Sequence, residues 1–427
     1  MVVRNVYKLF RTSRSFQTWA LLGTAGIGAL CLGTIEQFPL ALYLLLGSLL
    51  LLYYTSFPAK TKWGIGAVLT IIILPLAAGG TGSESSYMNL ATQICIYAIM
   101  ALGLNVTVGF TGLLDFGYIA FFAIGAYTYA ILASPQLKQL LPNTDVDPFS
   151  GSSFWFIVFL GAGLAFIAGL VVGLPVLRVR GDYLTMITLA FAEALRIFLE
   201  NLSTPINITN GSKGIPLISY PNLFGIDLKD YNQLYFVALA LLALALFIIL
   251  RLEKSRIGRA WKSIRENEIA AQAMGVPIVR MKLLAFAIGS AFAGCAGVML
   301  AAKDTFVDPT NFILMETIIV LAMVIVGGMG SVPGVILGAA VVGIVNLGLL
   351  VDLTQFLETR FNFDPQYSPE KMQKAFFGVL LICIMRFRPQ GLIPAKNHFY
   401  PPPVSMATQP QGVAYPQDNP SSESDDS

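Results

Sequence analysis

Residues 283–302 read LLAFAIGSAFAGCAGVMLAA, twenty residues without one Asp, Glu, Lys or Arg. A helix rises about 1.5 Å per residue, so such a run reaches across the roughly 30 Å hydrocarbon core of a bilayer, where a helix satisfies all of its own backbone groups. Working outward, runs of similar character occupy residues 19–35, 40–57, 63–79, 88–107, 112–133, 154–177, 183–199, 234–250, 312–326, 334–350 and 375–385. The last is short, and 88–107 is parted from 112–133 only by Gly109-Phe110-Thr111-Gly112. The expected fold is therefore an all-α polytopic membrane protein of about 10 to 12 transmembrane helices.

Composition agrees: 56% of the 427 residues are hydrophobic and 12% charged, against roughly a quarter charged in ordinary soluble domains, which excludes a water-soluble fold. A net charge of +3 spread over the chain excludes a nucleic-acid partner. Cys31, Cys95, Cys295 and Cys383 stand singly in apolar runs and the one histidine, His398, lies in a polar tail, so neither a metal nor another cofactor is expected.

With twelve spans and the N-terminus inside, 19 basic residues fall in inside loops, seven in outside loops, and Arg196 within a span. Lys and Arg concentrate on the cytoplasmic side, so both termini are expected there. The start (Arg4, Lys8, Arg11, Arg14) is read as a retained anchor because no small-residue cleavage site follows the apolar run. One membrane domain is expected over residues 1–386. The final forty residues hold eight of 23 prolines with Gln, Ser and Asp, so residues 387–427 are expected to be a disordered cytoplasmic tail. The outer loop 201–233 is rich in turn residues; its three Asn-x-Ser/Thr triplets are attributed to chance.

The loop just before the opening run, residues 251–282, holds eight basic and three acidic residues. Ser263-Ile-Arg-Glu266 fits a capping box, and Gly275 with Pro277 beyond it fits a helix stop, which predicts a helix over 264–274. Ala270, Ala271, Ala273 and Met274 give it a small, weakly apolar face with no core of its own, which suits docking of a partner. The chain lacks a G-x-x-x-x-G-K-[ST] phosphate loop, and the glycines of GGMGSVPGVILGAAVVG (327–343) are read as close helix contacts. Any ATP would be bound by another chain.

Ile269-Ala270-Ala271, with Gly275 four residues after the second alanine, resembles the Glu-Ala-Ala-x-x-x-Gly loop of ABC-importer permeases, with Glu268 displaced by one position. GRAWKSIRENEIAAQAMGV around it, VLRVRGDYLTMITLAFAEALRIFLENL before it, LAMVIVGGMGSVPGVILGA after it, the terminal RPQGLIP, and ALGLNVTVGFTGLLDFGYIAFFAIGAY near residue 100 all resemble LivM-type permeases of branched-chain and neutral amino-acid importers. That resemblance implies a non-enzymatic permease subunit in a bacterial plasma membrane. It also implies a heterodimer with a second permease, two cytoplasmic ABC ATPase subunits and an external substrate-binding protein. It marks Glu268, Ile269, Ala270, Ala271, Met274 and Gly275 as the ATPase-docking element. Urea or amide permeases of the same family are the near alternative.

Ionisable residues within spans are costly and are candidates for the translocation path: Asp115, Glu193, Arg196 and Glu316. Glu193 and Arg196 are also spaced for an intrahelical ion pair. An ion-coupled secondary transporter is the rival reading, because Gly109–Gly112 and Gly327–Gly330 interrupt apolar runs in both halves of the chain. Against it, both breaks are expected at the cytoplasmic face. A membrane-embedded enzyme is disfavoured by the lack of any catalytic constellation.

Overall fold

The structure is a computed structural model that describes residues 84–140, 153–176, 182–203, 207–223, 226–351, 372–387 and 390–394, with isolated positions 66, 70, 353, 354 and 358. The spans expected at 19–35 and 40–57, nearly all of 63–79, the basic start, and the tail beyond 394 lie outside these residues.

The described chain is helical: α1 (Glu84–Leu104), α2 (Tyr118–Leu132), α3 (Phe154–Val176), α4 (Asp182–Asn201), α5 (Tyr231–Lys254), α6 (Arg256–Glu266), α7 (Glu268–Ala273), α8 (Ile278–Asp304), α9 (Leu314–Gly327), α10 (Val332–Ile344) and α11 (Gln373–Phe387). Among the described residues five helical segments are long and apolar enough to cross a membrane, namely Met88–Phe110, Phe154–Val176, Tyr231–Lys254, Ile278–Asp304 and Val332–Leu349. The first includes a π turn, Asn105–Phe110, that extends α1, and the last a π turn, Val345–Leu349, that extends α10. The loop between α4 and α5 carries a small pairing of Asn222–Leu223 with Ile226–Asp227.

The run that opened the sequence reading forms α8, the helix against which α1, α2 and α3 all pack. Glycine makes the approach close: a Cβ on Gly125 would lie 2.0 Å from the carbonyl oxygen of Gly294, and one on Gly294 would lie 2.7 Å from that of Gly161. Helices α2, α8 and α3 therefore meet backbone to backbone, the contact that small residues permit between membrane helices. The glycines of 327–343 act as the sequence suggests, for a Cβ on Gly338 would lie 2.1 Å from the Met323 oxygen on α9. Away from these contacts, Phe156, Phe159, Ile167 and Val171 of α3 and Phe236 and Phe247 of α5 stay exposed, an apolar outer face suited to lipid.

Three expectations need correction. The span at 112–133 is shorter: α2 has 15 residues, and α9 has 14. Gly112 turns left-handed at φ +74 and stops the helix, while the Asp115 Oδ1 accepts the Gly117 N–H at 2.8 Å to set the entry into α2. Both short helices are walled in by protein along most of their length, so neighbours rather than lipid surround them. The tail boundary at 387 falls too early, because the Leu392 and Ile393 N–H groups donate to the oxygens of Val326 and Gly327 at 2.8 and 3.0 Å. The helix expected over 264–274 is two helices, α6 and α7.

Candidate functional site

The loop between α5 and α8 divides because its capping residues lie elsewhere than at Ser263. Ser255 caps α6, its Oγ accepting the Gly258 N–H at 3.2 Å, so Ser263 falls inside the helix and donates its hydroxyl to the Ala260 oxygen at 2.8 Å. Asn267, extended at φ −158 and ψ 110, caps α7 by accepting the Ala270 N–H at 3.0 Å. Gly275, at φ +82, donates to the Gln272 oxygen and turns the chain toward Pro277, as the sequence predicts.

This geometry sorts the six residues proposed for docking. Ile269 and Met274 are 81% and 85% exposed, and Ala270 is exposed beside them. Ala271 is 4% exposed and packs with Ile264, Ile278 and Val276 in a small core of the loop, so it does not belong to the free face. Glu268 is held by Lys282 at 2.8 Å, and Gly275 supplies the turn.

Beneath the loop, Trp261 is fully buried, donates from Nε1 to the Met281 oxygen at 2.8 Å and stacks on Phe110 at 6.4 Å between ring centroids. Arg265 Nη1 donates to the Gly109 oxygen and reaches the Met329 oxygen at 3.4 Å. Asn105 Oδ1, fully buried, accepts the Gly330 N–H at 2.8 Å. The two glycine breaks, far apart in sequence, thus touch each other and α6 at one end of the bundle.

Charges gather differently at the opposite end. Asn89, Gln93 and Tyr97 form one stripe of α1. Lys303 Nζ donates to Asn89 at 3.0 Å and to Gln93, and pairs with Asp304 at 3.2 Å. The Tyr97 hydroxyl donates to Glu316 Oε2 at 2.9 Å in the first turn of α9. Of the proposed path residues, Asp115 is buried in the entry to α2, where the Thr188 hydroxyl accepts the neighbouring Phe116 N–H at 3.3 Å. Glu193 and Arg196 form the intrahelical ion pair that their spacing allows, with Glu200 on Arg196 at 3.3 Å. The structure does not gather these four residues into one site. Among the described residues no group of three or more His, Cys, Asp or Glu is placed to hold a metal.

Reading the sequence overlooked Trp261, Arg265, Asn105 and Lys303. A signal existed for two of them: Trp261 is a large apolar residue in a cationic loop, and Asn105 is an amide inside an apolar run. Arg265 was counted only as one of the loop's positive charges.

Residues 86–385 match the family model described as "Branched-chain amino acid transport system / permease component". The chain belongs to this permease family. It is 39% identical over 350 residues to the high-affinity branched-chain amino acid transport system permease protein LivM of Salmonella typhimurium, covering 77% of this chain and 74% of that protein. Identity to the probable branched-chain amino acid transport permease protein LivM of Methanocaldococcus jannaschii is 28% over 333 residues, 72% of this chain and 93% of that protein. A second kind of relative, the permease protein LivH of the Escherichia coli high-affinity branched-chain amino acid transport system, is 26% identical over 262 residues, 58% of this chain and 80% of that protein. No solved structure matches the permease.

Proposed function

We propose that this permease is a membrane subunit of an ATP-driven importer of branched-chain amino acids, seated in a bacterial inner membrane with the α6–α7 loop on the cytoplasmic side. The observation that carries this reading is the exposed apolar pair of Ile269 on α7 and Met274 at its C-cap, which stands at the end of an apolar bundle in a loop rich in Lys and Arg. Large side chains that exposed on a six-residue helix gain a role when a partner covers them. The chain lacks a nucleotide-binding loop of its own, so the partner is an ATPase subunit, two of which serve this permease and a second, similar one. An external binding protein delivers ligand to the far side. The substrate class follows from the relatives, which favours branched-chain amino acids over urea and amides.

The membrane domain extends past 387 to take in Leu392 and Ile393 in this reading, with residues 251–282 as its coupling loop. Glu193 and Arg196 remain the path candidates, for α4 leaves Tyr183, Met186, Glu193 and Ile197 exposed on a face that the second permease would complete. Asp115 and Glu316 sit inside the fold with protein partners and serve it as structural residues. The ion-coupled rival loses its support: its two breaks lie together beside the loop, far from a midplane site between repeats.

The test is Met274→Glu in the whole assembly. Membrane insertion is expected to persist, while ATPase co-purification and leucine uptake both fall. Normal ATPase recovery with normal uptake would contradict the docking role.

A further inference from the structure

Two helix C-termini converge beside α6. The π turn that ends α1 stops at Phe110, and α9 stops at Gly327, each leaving carbonyl oxygens without a partner further along its own helix. Such ends carry roughly half a negative elementary charge, so setting two side by side is unfavourable unless donors or a cation intervene. The Val326 and Gly327 oxygens are taken by the N–H groups of Leu392 and Ile393. The Gly109 oxygen at the end of the π turn, and the Met329 oxygen in the turn two residues beyond α9, both fall to one guanidinium, that of Arg265. Its side chain lies along the first break, since a Cβ on Gly112 would come 3.5 Å from Arg265 Cγ. Asn105 closes the same junction from within the bundle through the Gly330 N–H.

We propose that Arg265 is a positioning residue that fastens the α6–α7 loop to the end of the α1 π turn and to the turn between α9 and α10, so that a displacement of α7 moves the two glycine breaks as one body. Arginine suits this task because the two hydrogens of Nη1, the nitrogen that makes both contacts, lie in fixed directions in the guanidinium plane, whereas a lysine ammonium is a compact point charge that rotates freely. Trp261 anchors α6 to α8 and, through Phe110, to the first break independently of Arg265, so loss of the bridge releases the second break without unseating the loop. The inference rests on the proposed docking of an ATPase at Ile269 and Met274 and adds the route by which that docking reaches the bundle.

Arg265→Lys keeps the charge near the helix ends and removes the fork. In the complete assembly in lipid vesicles it should still retain the ATPase subunits, while leucine taken up per ATP hydrolysed falls by about fivefold or more, the scale of an ordinary coupling free energy. A second measurement uses spin labels at Gln272→Cys and at Gln390→Cys, which lies beside the second break at Gly328, both exposed, in a chain whose four native cysteines are replaced by alanine. With Arg265 present the label separation should be the same with and without bound ATP; with Arg265→Lys it should change with nucleotide. Unchanged uptake per ATP in Arg265→Lys would overturn the inference, as would loss of the ATPase from that variant, which would place Arg265 in the docking surface. If the variant fails to insert, the separation in the parent chain decides: a constant value supports the bridge, and a nucleotide-dependent one overturns it. Failure of the docking reading itself would show earlier, as a parent assembly that holds no ATPase.

Discussion

The two ends of the helix bundle solve opposite problems. At the far end charged and polar groups are brought inside and matched: Lys303 meets Asn89, Gln93 and Asp304, and Glu316 meets Tyr97. At the loop end two helices stop short, Arg265 holds the Gly109 and Met329 oxygens while Leu392 and Ile393 hold those of Val326 and Gly327, and Ile269 and Met274 project with little protein against them. These pairings resist rearrangement, since separating buried partners leaves each unpaired, although Tyr127, Asn232, Gln233 and Thr317 each keep a buried polar atom without a partner among the described residues at or near this end. The loop end keeps its apolar contacts for a partner and ties its helix ends through one exposed side chain. Under the proposed docking, motion imposed on the loop end would pass to the breaks, while the far end holds α1, α8 and α9 together.

The strongest way to break this contrast is to charge the free face. Ile269→Glu with Met274→Glu should cut ATPase recovery and uptake by at least about tenfold, because burying carboxylates at the centre of an interface removes its anchors, while thermal stability in detergent stays near that of the parent. Lys303→Met tests the other end. It should cost on the order of 2 kcal/mol of stability by removing the charge-assisted hydrogen bonds of a buried ammonium to the half-buried Asn89 and Gln93, yet leave ATPase recovery intact; a loss of ATPase without a loss of stability would erase the distinction between the ends. Ala271→Asp separates surface from core within the loop itself. Ala271 packs against Ile264 and Ile278, so the change should cost roughly 2 kcal/mol locally and speed protease cleavage between α6 and α7, which the surface variants should not do. The smallest effect belongs to α4: exchanging the pair, Glu193→Arg with Arg196→Glu, should alter stability by only about 0.5 kcal/mol, and uptake that recovers in the exchanged chain assigns the pair to structure alone. A folded, assembled but inactive exchanged chain would assign it to the path.

Most of this architecture was legible from length and hydropathy. Residues 154–177, 234–250 and 283–302 became α3, α5 and α8 with ends shifted by a few residues, because a long uncharged run leaves the backbone no alternative in lipid. The runs at 112–133 and 312–326 looked equally apolar and became short buried helices, since hydropathy does not distinguish lipid from protein as the apolar neighbour. The docking loop was legible in its stop, Gly275, and illegible in its start: Ser255, Ser263 and Asn267 are all competent caps, and only packing of Trp261 and Ile264 selects among them. Arg265 escaped notice because its role depends on two carbonyls, one from a residue 156 positions away in the chain, and backbone groups leave no mark in a sequence.

The most direct test of the account is leucine uptake into vesicles that carry this permease, its partner permease, the ATPase subunits and the external binding protein, with ATP held constant and ion gradients collapsed by ionophores. The account predicts that uptake continues in the parent chain and stops in the Ile269→Glu, Met274→Glu variant. Uptake that stops in the parent when the gradients collapse, or that continues in the variant, would contradict it.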